Sequence, residues 1–455
     1  MSMYYKFISK KPKMSGKLTR IYIPARILKK VKEKFVKIKI NRDIEFIDKI
    51  NEKRFVIPKK LIERIKFLNK NTINMKRIIY EKKVKRGIIK NKRLNLIALI
   101  PEKTRSGTPI KIKREKGCLI CFCKSFNGSL REIKLNKDAS LDFCRLLGYY
   151  QAEGAKEKRI RKRKGRQVVI TNTNLDLISD FVKLSEEIIK PEIWKAEIGL
   201  KRITNKKVKL TKNRLIKLGI LGKNIKIRTE EKLKDFSIRL FICSTLLSDI
   251  IINFMDTIRT KLTKQNLVNK NYLEIYKNFM QGLFAGDGNY NTYKNKKGGT
   301  HYKLIFYEGD KKYAEDYQKL LNKIGFDSKI LKIKDKNLYI VKCVLNWRYL
   351  LLLQEMELFN YHKKHKESLI NSINNHKRYK SHKYLISLKD NFNIKQICSI
   401  IKKDKTTCYN WIKSMIDENL IVKNKVNDWS ISKEGKRVRG ILTKVKSLSY
   451  NHQIL

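Results

Sequence analysis

The chain has 455 residues and carries 107 Lys and Arg against 42 Asp and Glu, a formal net charge of +65. This excess argues against an ordinary enzyme of small metabolites and predicts a polyanionic partner whose binding weakens steeply with salt. The eight cysteines do not form a disulfide scaffold. No targeting segment is visible, and the most apolar run, residues 240–255, is interrupted by Asp249 and too short to span a bilayer. We therefore expect an intracellular, cytoplasmic and nucleoid-associated protein without a membrane partner.

Residues 1–125 are predicted to form a basic β/α accessory region. Two β-branched runs, residues 20–24 and 54–58, each end at a proline before a lysine-rich helical stretch. This unit resembles the small swapped-hairpin DNA-binding domains of the AbrB type, and an auxiliary basic module is the alternative. Cys118, Cys121 and Cys123 are closely spaced, but no matching Cys or His pair follows, so their segment is predicted to be a strand rather than a zinc site.

Two similar nonamers, residues 146–154 and 280–288, organise the rest of the chain. Each is apolar and ends on a carboxylate followed by glycine. Small residues four apart would share one face of a helix, so two such helices can pack with their backbones almost touching. These small residues are Gly148, Ala152, Gly282 and Gly286. The packing would bring Glu153 and Asp287 together, and two adjacent carboxylates favour a divalent cation between them.

The pair of motifs resembles the LAGLIDADG (DOD-type) homing endonucleases in their two-motif, monomeric form. The resemblance implies that Glu153 and Asp287 are catalytic and bind Mg²⁺ or Mn²⁺, helped by the backbone carbonyls of Ala152 and Gly286. Glu153 stands where the family more often has Asp. Gln151 and Ala285 replace the earlier acid of the namesake motif, which is not the catalytic one.

Family members also tend to place a lysine near each metal site, after the helix that closes each half. In this chain the candidates are Lys261 or Lys264 in the first half and Lys363 or its neighbours in the second. The alternative is surface charge that contacts phosphates, which a nuclease needs in any case.

A basic hairpin is predicted to follow each motif, and a basic β-ribbon fits the major groove of DNA. The first has arms at residues 156–163 and 166–173, and the second at 289–294 and 301–307. We expect the following hairpin residues to bind nucleic acid: Arg159, Arg161, Lys162, Arg163, Arg166, Lys294 and Lys297.

The same order of helices and strands recurs after each motif, which predicts an α+β fold. The halves, residues 126–268 and 269–378, are expected to form a pseudo-symmetric pair of αββαββα units, saddle-shaped if the resemblance holds. Residues 379–455 resemble a winged helix-turn-helix, whose second helix would offer four side chains to base edges. These side chains are Thr406, Thr407, Asn410 and Lys413.

The first functional hypothesis is a site-specific double-strand DNA homing endonuclease, active as a monomer and encoded by an intron or a free gene. A non-cleaving transcriptional regulator that resembles the WhiA proteins is the second, and an RNA-splicing maturase that binds intron RNA is the third. Retention of both acids favours the enzyme, because a scaffold needs the glycines but not the carboxylates. An intein is disfavoured, since splice-junction residues are missing.

Overall fold

A computed structural model of the chain describes residues 4–10, 13–15, 18–23, 35–40, 44–49, 54–57, 70–77, 87–115, 117–124, 130–154, 167–200, 205–229, 236–294, 300–333, 337–425 and 428–451. Across these ranges α-helices and small sheets combine in an α+β fold, as predicted. No helix in them is long and apolar enough to cross a membrane.

The N-terminal part consists of strands in two sheets. The strands are β1 (Tyr4–Lys10), β2 (Lys13–Ser15), β3 (Leu18–Tyr22), β4 (Phe35–Ile40), β5 (Ile44–Lys49), β6 (Arg54–Ile57) and β7 (Lys70–Arg77). One sheet has the order β1-β7-β4-β5 and the other the order β2-β3-β6. The two β-branched runs noted in the sequence fall on β3 and β6, which pair with each other antiparallel. The lysine-rich stretches after them lie outside the described residues.

Two further small sheets lead to the first motif. Their elements are β8 (Ile89–Lys90), β9 (Arg93–Asn95), helix α1 (Leu96–Leu99), β10 (Lys111–Glu115), β11 (Cys118–Lys124), β12 (Leu130–Asn136) and β13 (Asp138–Ala139). Strand β11 contains the three closely spaced cysteines, so the predicted strand is confirmed. It pairs with β12 across the boundary predicted at residue 125, and β13 pairs with β9. Strand pairing therefore joins the predicted accessory region to the start of the first half.

The first half runs from α2 to α5. Its elements are α2 (Phe143–Glu153), β14 (Val168–Asn172), α3 (Leu175–Ser185), β15 (Lys195–Leu200), α4 (Asn205–Lys217), β16 (Ile225–Thr229), β17 (Phe236–Ile242) and α5 (Thr245–Lys264). The sheet order is β14-β17-β15-β16. A lysine-rich insertion forms α4 and β16, and β16 pairs parallel to β15 at the edge of the sheet.

The second half repeats this arrangement. Its elements are α6 (Lys270–Gly286), β18 (Asn289–Lys294), β19 (Thr300–Glu308), α7 (Lys311–Lys323), β20 (Ser328–Lys332), β21 (Tyr339–Leu345) and α8 (Trp347–Glu355). Here the sheet order is β18-β19-β21-β20, so β19, β21 and β20 correspond to β14, β17 and β15 of the first half. Each sheet is covered on one face by the helices of its own half, with which it forms a continuous apolar core.

The chain then continues through α9 (Lys363–Asn375) and α10 (Lys377–His382) into the tail. The tail contains β22 (Asn391–Asn393), α11 (Ile394–Ile401), α12 (Lys405–Asp417), β23 (Ile421–Lys425), β24 (Asp428–Ile431) and α13 (Lys433–Asn451). The two helices and two strands expected between residues 394 and 432 are present. The basic end is a 19-residue helix. Its buried Leu442 and Val445 join the core shared with α8 and α9.

Candidate active site

The two motifs form α2 and the C-terminal part of α6, which lie against each other with almost no side chain between them. A methyl group on Gly148 would lie 2.1 Å from the carbonyl oxygen of Phe279, and one on Gly282 would lie 2.1 Å from that of Arg145. Both contacts are with backbone, which cannot move aside. Glycine is therefore required at both positions, and the two backbones cross at direct van der Waals contact.

The carboxylates lie at the same end of this helix pair. A methyl group on Gly286 would lie 2.4 Å from Cβ of Ala152 and 3.2 Å from Cγ of Glu153, so Glu153 adjoins the residue before Asp287. Gly154 then forms a bridge with Ile170 of β14, and β18 begins two residues after Asp287. Each carboxylate, half-buried, thus sits where its helix joins its sheet.

A strand residue orients the first carboxylate. Asn172, the last residue of β14, donates from Nδ2 to Oε1 of Glu153 over 2.8 Å. Its Oδ1 accepts from the backbone N–H of Asn174 at 2.7 Å. That second bond fixes which end of the amide faces the carboxylate.

A buried arginine lies on one side of the helix pair. Arg259 of α5 contacts Asp256 at 2.8 Å and Asp316 of the second half at 2.9 Å, and it donates a short hydrogen bond to Oε1 of Gln151. Its guanidinium also lies over the ring of Tyr313, 4.2 Å from the centroid. Burial opposes its charge, but the two aspartates outweigh burial and raise the pKa of Arg259. This side chain ties the two halves together.

Gln151 extends this network toward the second carboxylate. Its Nε2 donates to the hydroxyl of Tyr317 at 3.1 Å, and that hydroxyl donates to Oε2 of Glu308 at 3.3 Å. Burial raises the pKa of Tyr317 well above its ordinary value, and the negative charges of Asp287 and Glu308 raise it further. Tyr317 therefore stays protonated, and its hydroxyl is influenced by the charges of Asp287 and Glu308.

A second buried arginine lies near the beginning of α2. Arg145 binds Asp180 of α3 through Nε at 2.7 Å, and its Nη1 donates to Asn278 of α6 at 3.2 Å. The ring of Tyr361 lies 4.0 Å from its guanidinium. Burial opposes the charge, but Asp180 outweighs it and raises the pKa of Arg145. Like Arg259, this arginine joins the two halves.

The lysines expected near the carboxylates lie at the ends of two other helices. Lys261 and Lys264 occupy the last turn of α5, where the Leu262 carbonyl accepts from Lys323 at 2.7 Å. The same end of α7 contacts α6 at Tyr276, whose hydroxyl donates to the Leu320 carbonyl at 2.8 Å. Tyr276 lies roughly 15 Å along α6 from Gly286. Helix α5 thus returns the chain to the start of α6, whereas Asp287 is at the end of α6. The catalytic role expected for Lys261 stays a prediction.

Lys363 is placed similarly. It is the exposed first residue of α9, two residues after Tyr361, whose ring packs on Arg145 in the first turn of α2. Arg145 precedes Glu153 by about 12 Å of helix. The catalytic role expected for Lys363 likewise stays a prediction.

Of the residues expected to bind nucleic acid, those in the first hairpin and Lys297 lie outside the described residues. They are Arg159, Arg161, Lys162, Arg163 and Arg166. Lys294 is exposed at the end of β18. Thr406, Asn410 and Lys413 are exposed on α12, whereas the hydroxyl of Thr407 donates to the capping Asp404 at 2.7 Å.

The sequence analysis did not identify Asn172, Glu308 or the two buried arginines. Asn172 and Glu308 each stand two residues before the residue that caps the next helix, Asn174 or Asp310. This shared spacing was visible in the sequence. The arginine partners were not, because Arg145 and Arg259 meet acids 35 and 57 residues away.

The donor set at the motif ends fits a hard divalent cation in part. Two carboxylates and nearby backbone carbonyls supply the oxygens that Mg²⁺ prefers. Among the described residues no three Asp, Glu, His or Cys side chains gather closely enough to hold a metal ion. Such an ion would therefore complete its coordination with water or with oxygens of a bound partner.

A family model for the LAGLIDADG-like domain matches residues 274–382. The comparison with curated proteins found no match.

Several solved structures are similar to the chain. The homing endonuclease I-DmoI in complex with DNA and Mn is 18% identical in sequence. The match covers 48% of this chain and 97% of the I-DmoI chain, with a TM-score of 0.27. The meganuclease I-SmaMI bound to uncleavable DNA is 14% identical, covering 52% and 92%, with a TM-score of 0.29. The N-terminal LAGLIDADG domain of WhiA is 12% identical, covering 50% and 86%, with a TM-score of 0.28.

Proposed function

Residues 274–382 match the model of the LAGLIDADG-like domain. We propose that the protein is a site-specific double-strand DNA endonuclease. The observation that carries the proposal is the meeting of Glu153 and Asp287 at one end of a helix pair in backbone contact. A helix pair needs glycines to pack in this way but has no structural use for two adjoining acids. One chain supplies both acids, so a monomer suffices.

A divalent cation, Mg²⁺ or Mn²⁺, would supply the Lewis acid and neutralise the leaving oxygen in phosphodiester hydrolysis. Glu153 and Asp287 would hold it, with the carbonyls of Ala152 and Gly286 as neighbours. Asn172 keeps Glu153 in place by donating to one carboxylate oxygen. The bound DNA would provide the remaining oxygens.

The outer face of each sheet supports DNA as the partner. In β19, buried and more exposed residues alternate, and Lys303 belongs to the more exposed set. Strand pairing places the lysines of the neighbouring strands on the same face. This set comprises Lys303, Lys329 and Lys342. A basic sheet face can follow a DNA groove and contact its phosphates.

The first sheet offers arginines in the same way. Glu197 accepts from Arg228 of β16 at 2.9 Å and from Arg239 of β17 at 3.0 Å. Arg228 stays 52% exposed and Arg239 38%. Each guanidinium keeps further donors for a base edge or a phosphate, and the shared carboxylate limits its motion.

The tail is proposed as a second DNA contact in the manner of a winged helix-turn-helix. Thr406, Asn410 and Lys413 are spaced four and three residues apart, so they share one exposed face of α12. Helix α13 anchors the tail to the second half, because Arg437 contacts Glu355 at 2.7 Å. The tail would therefore lengthen the recognised site at a fixed distance from the cleavage centre.

The test is cleavage of a randomised DNA library in Mg²⁺, with the new ends sequenced. We expect breaks at one long site with short, defined overhangs, and a loss of at least about 100-fold in rate for Glu153→Gln and for Asp287→Asn. Glu115→Gln, at a partly exposed acid on β10, is the matched control and should cleave like the original protein.

Binding is measured on the same target by fluorescence anisotropy at several salt concentrations. The variants should bind with unchanged affinity, which separates binding from catalysis. Sequence-selective DNA binding without any break would contradict the endonuclease and leave a regulator. Selective binding of RNA instead would favour a splicing factor.

A further inference from the structure

The ends of β14 and β19 occupy matching places in the two halves but carry different side chains. Asn172 ends β14 and Glu308 ends β19, and each is followed two residues later by the N-cap of the next helix. Asn172 accepts from the N–H of Asn174 at 2.7 Å, and Glu308 accepts from that of Asp310 at 3.3 Å. The local turn is therefore the same, and the two side chains differ in their other polar atom, which is an amide nitrogen in Asn172 and a second carboxylate oxygen in Glu308.

On the first-half side this position is neutral. The Asn172 amide donates to Glu153, so this position places a hydrogen-bond donor rather than an acid against the carboxylate. A donor of this kind favours the ionised carboxylate without adding negative charge.

On the second-half side the position is an acid. Glu308 is 9% exposed, and the hydroxyl of fully buried Tyr317 donates to it. Asp287 lies two residues before Asn289 of β18, which pairs with Ile305 of β19, three residues before Glu308. This side therefore has two acids around one buried tyrosine.

The hydrogen bond that Tyr317 accepts also comes from a position that is polar in only one of the two motifs. Tyr317 accepts from Gln151, which accepts from Arg259. The residue that corresponds to Gln151 in the second motif is Ala285, which has no polar side-chain atom. The Glu153 side and the Asp287 side of the site thus differ in charge and in the groups that hold that charge.

We propose that Glu308 is a third acidic group of the site, and that it makes the Asp287 side attract a divalent cation more strongly than the Glu153 side. It acts through its charge rather than as a direct ligand, because no three Asp, Glu, His or Cys side chains among the described residues gather closely enough to hold a metal ion. The proposal rests on the proposed function for its consequence: the strand served by the Asp287 side is cut at lower cation concentration, and nicked DNA accumulates when the cation is limiting.

The first test needs no DNA and no activity. Free Mn²⁺ is measured by electron paramagnetic resonance during titration of the protein. We expect Glu308→Gln to weaken the tightest Mn²⁺ site by about tenfold, the effect of one nearby charge, and Glu308→Asp to restore it. Asn172→Asp, which gives the first half the same charge, should strengthen the weaker site. Glu115→Gln is the control for charge alone.

Equal Mn²⁺ binding by Glu308→Gln and the original protein, with both folded by circular dichroism, would overturn the proposal. Unequal binding in a protein that cleaves no DNA would support it and refute the proposed function instead.

The second test follows each strand of the target separately over a Mg²⁺ titration. The original protein should show two midpoints about tenfold apart. Glu308→Gln should bring the midpoints together and remove the nicked intermediate. Two midpoints that stay apart in this variant would assign the order of cutting to the DNA sequence and overturn the role of Glu308.

Discussion

The two halves repeat one backbone plan, yet the buried arginines that brace them enter from different elements. Asp180 and Asp316 are each the sixth residue of their helix, α3 and α7. Asp180 meets Arg145 from the motif helix of its own half, whereas Asp316 meets Arg259 from the last helix of the other half. In both halves an arginine therefore pairs with the aspartate at this helix position, but the arginine comes from a different element in each half.

The helix crossing is the part in which the halves are truly alike, and it should give the largest effect. Gly282→Val would force side-chain atoms into the Arg145 carbonyl, so we expect the free energy of unfolding to fall by about 5 kcal/mol. Urea unfolding measures this loss.

Gly440→Ala is the matched control, because nothing lies within 4 Å of that helical glycine. It should stabilise the protein by about 0.5–1 kcal/mol through helix propensity. A similar response of both variants would show that the crossing is looser than described.

The arginines test the difference between the halves. Arg259→Met should cost about 3 kcal/mol, because it leaves Asp316, whose side chain is 12% exposed, without its cation. Arg145→Met should cost less, about 2 kcal/mol, since Asp180 is 21% exposed and keeps the Tyr149 hydroxyl as a donor at 2.9 Å. Urea unfolding of both variants measures the order, and equal losses would remove the asymmetry that we infer.

A smaller effect should be confined to the second half. Burial lowers the pKa of His365 to about 4, helped by the neighbouring charges of His362 and Lys364, from an ordinary 6.5. The unfolded chain thus binds the proton first, so this contribution to stability is complete above about pH 6.5 and is lost as pH falls toward 4.

Hydrogen exchange read by mass spectrometry distinguishes the halves. Between pH 6.5 and 4, α8 and α9 should lose protection before α3 does, and His365→Gln should reduce that loss. Equal loss in both halves, unchanged by the substitution, would assign the acid sensitivity to other groups.

The sequence was informative where a local pattern carries the chemistry. The spacing of small residues and the acid near the end of each motif predicted a helix pair with Glu153 and Asp287 at one end. The recurring pattern of apolar residues predicted the order of helices and strands in both halves. The choice of lysines stays a prediction, because abundance gave many candidates and only the direction of α5 and α9 decides which end of the motif helices they reach.

What the sequence determined by itself is therefore the repeated plan: two motif helices, two sheets, a basic surface and a pair of acids. These features depend on residues close together in the chain, whose spacing is fixed by helix and strand geometry. Only the tertiary structure decided that Arg259 reaches Gln151 and Asp316, that Glu308 stands where the first half has Asn172, and that α13 locks the tail to the second half. Such contacts join residues far apart in sequence, and buried polar groups select their partners by geometry that no local pattern encodes.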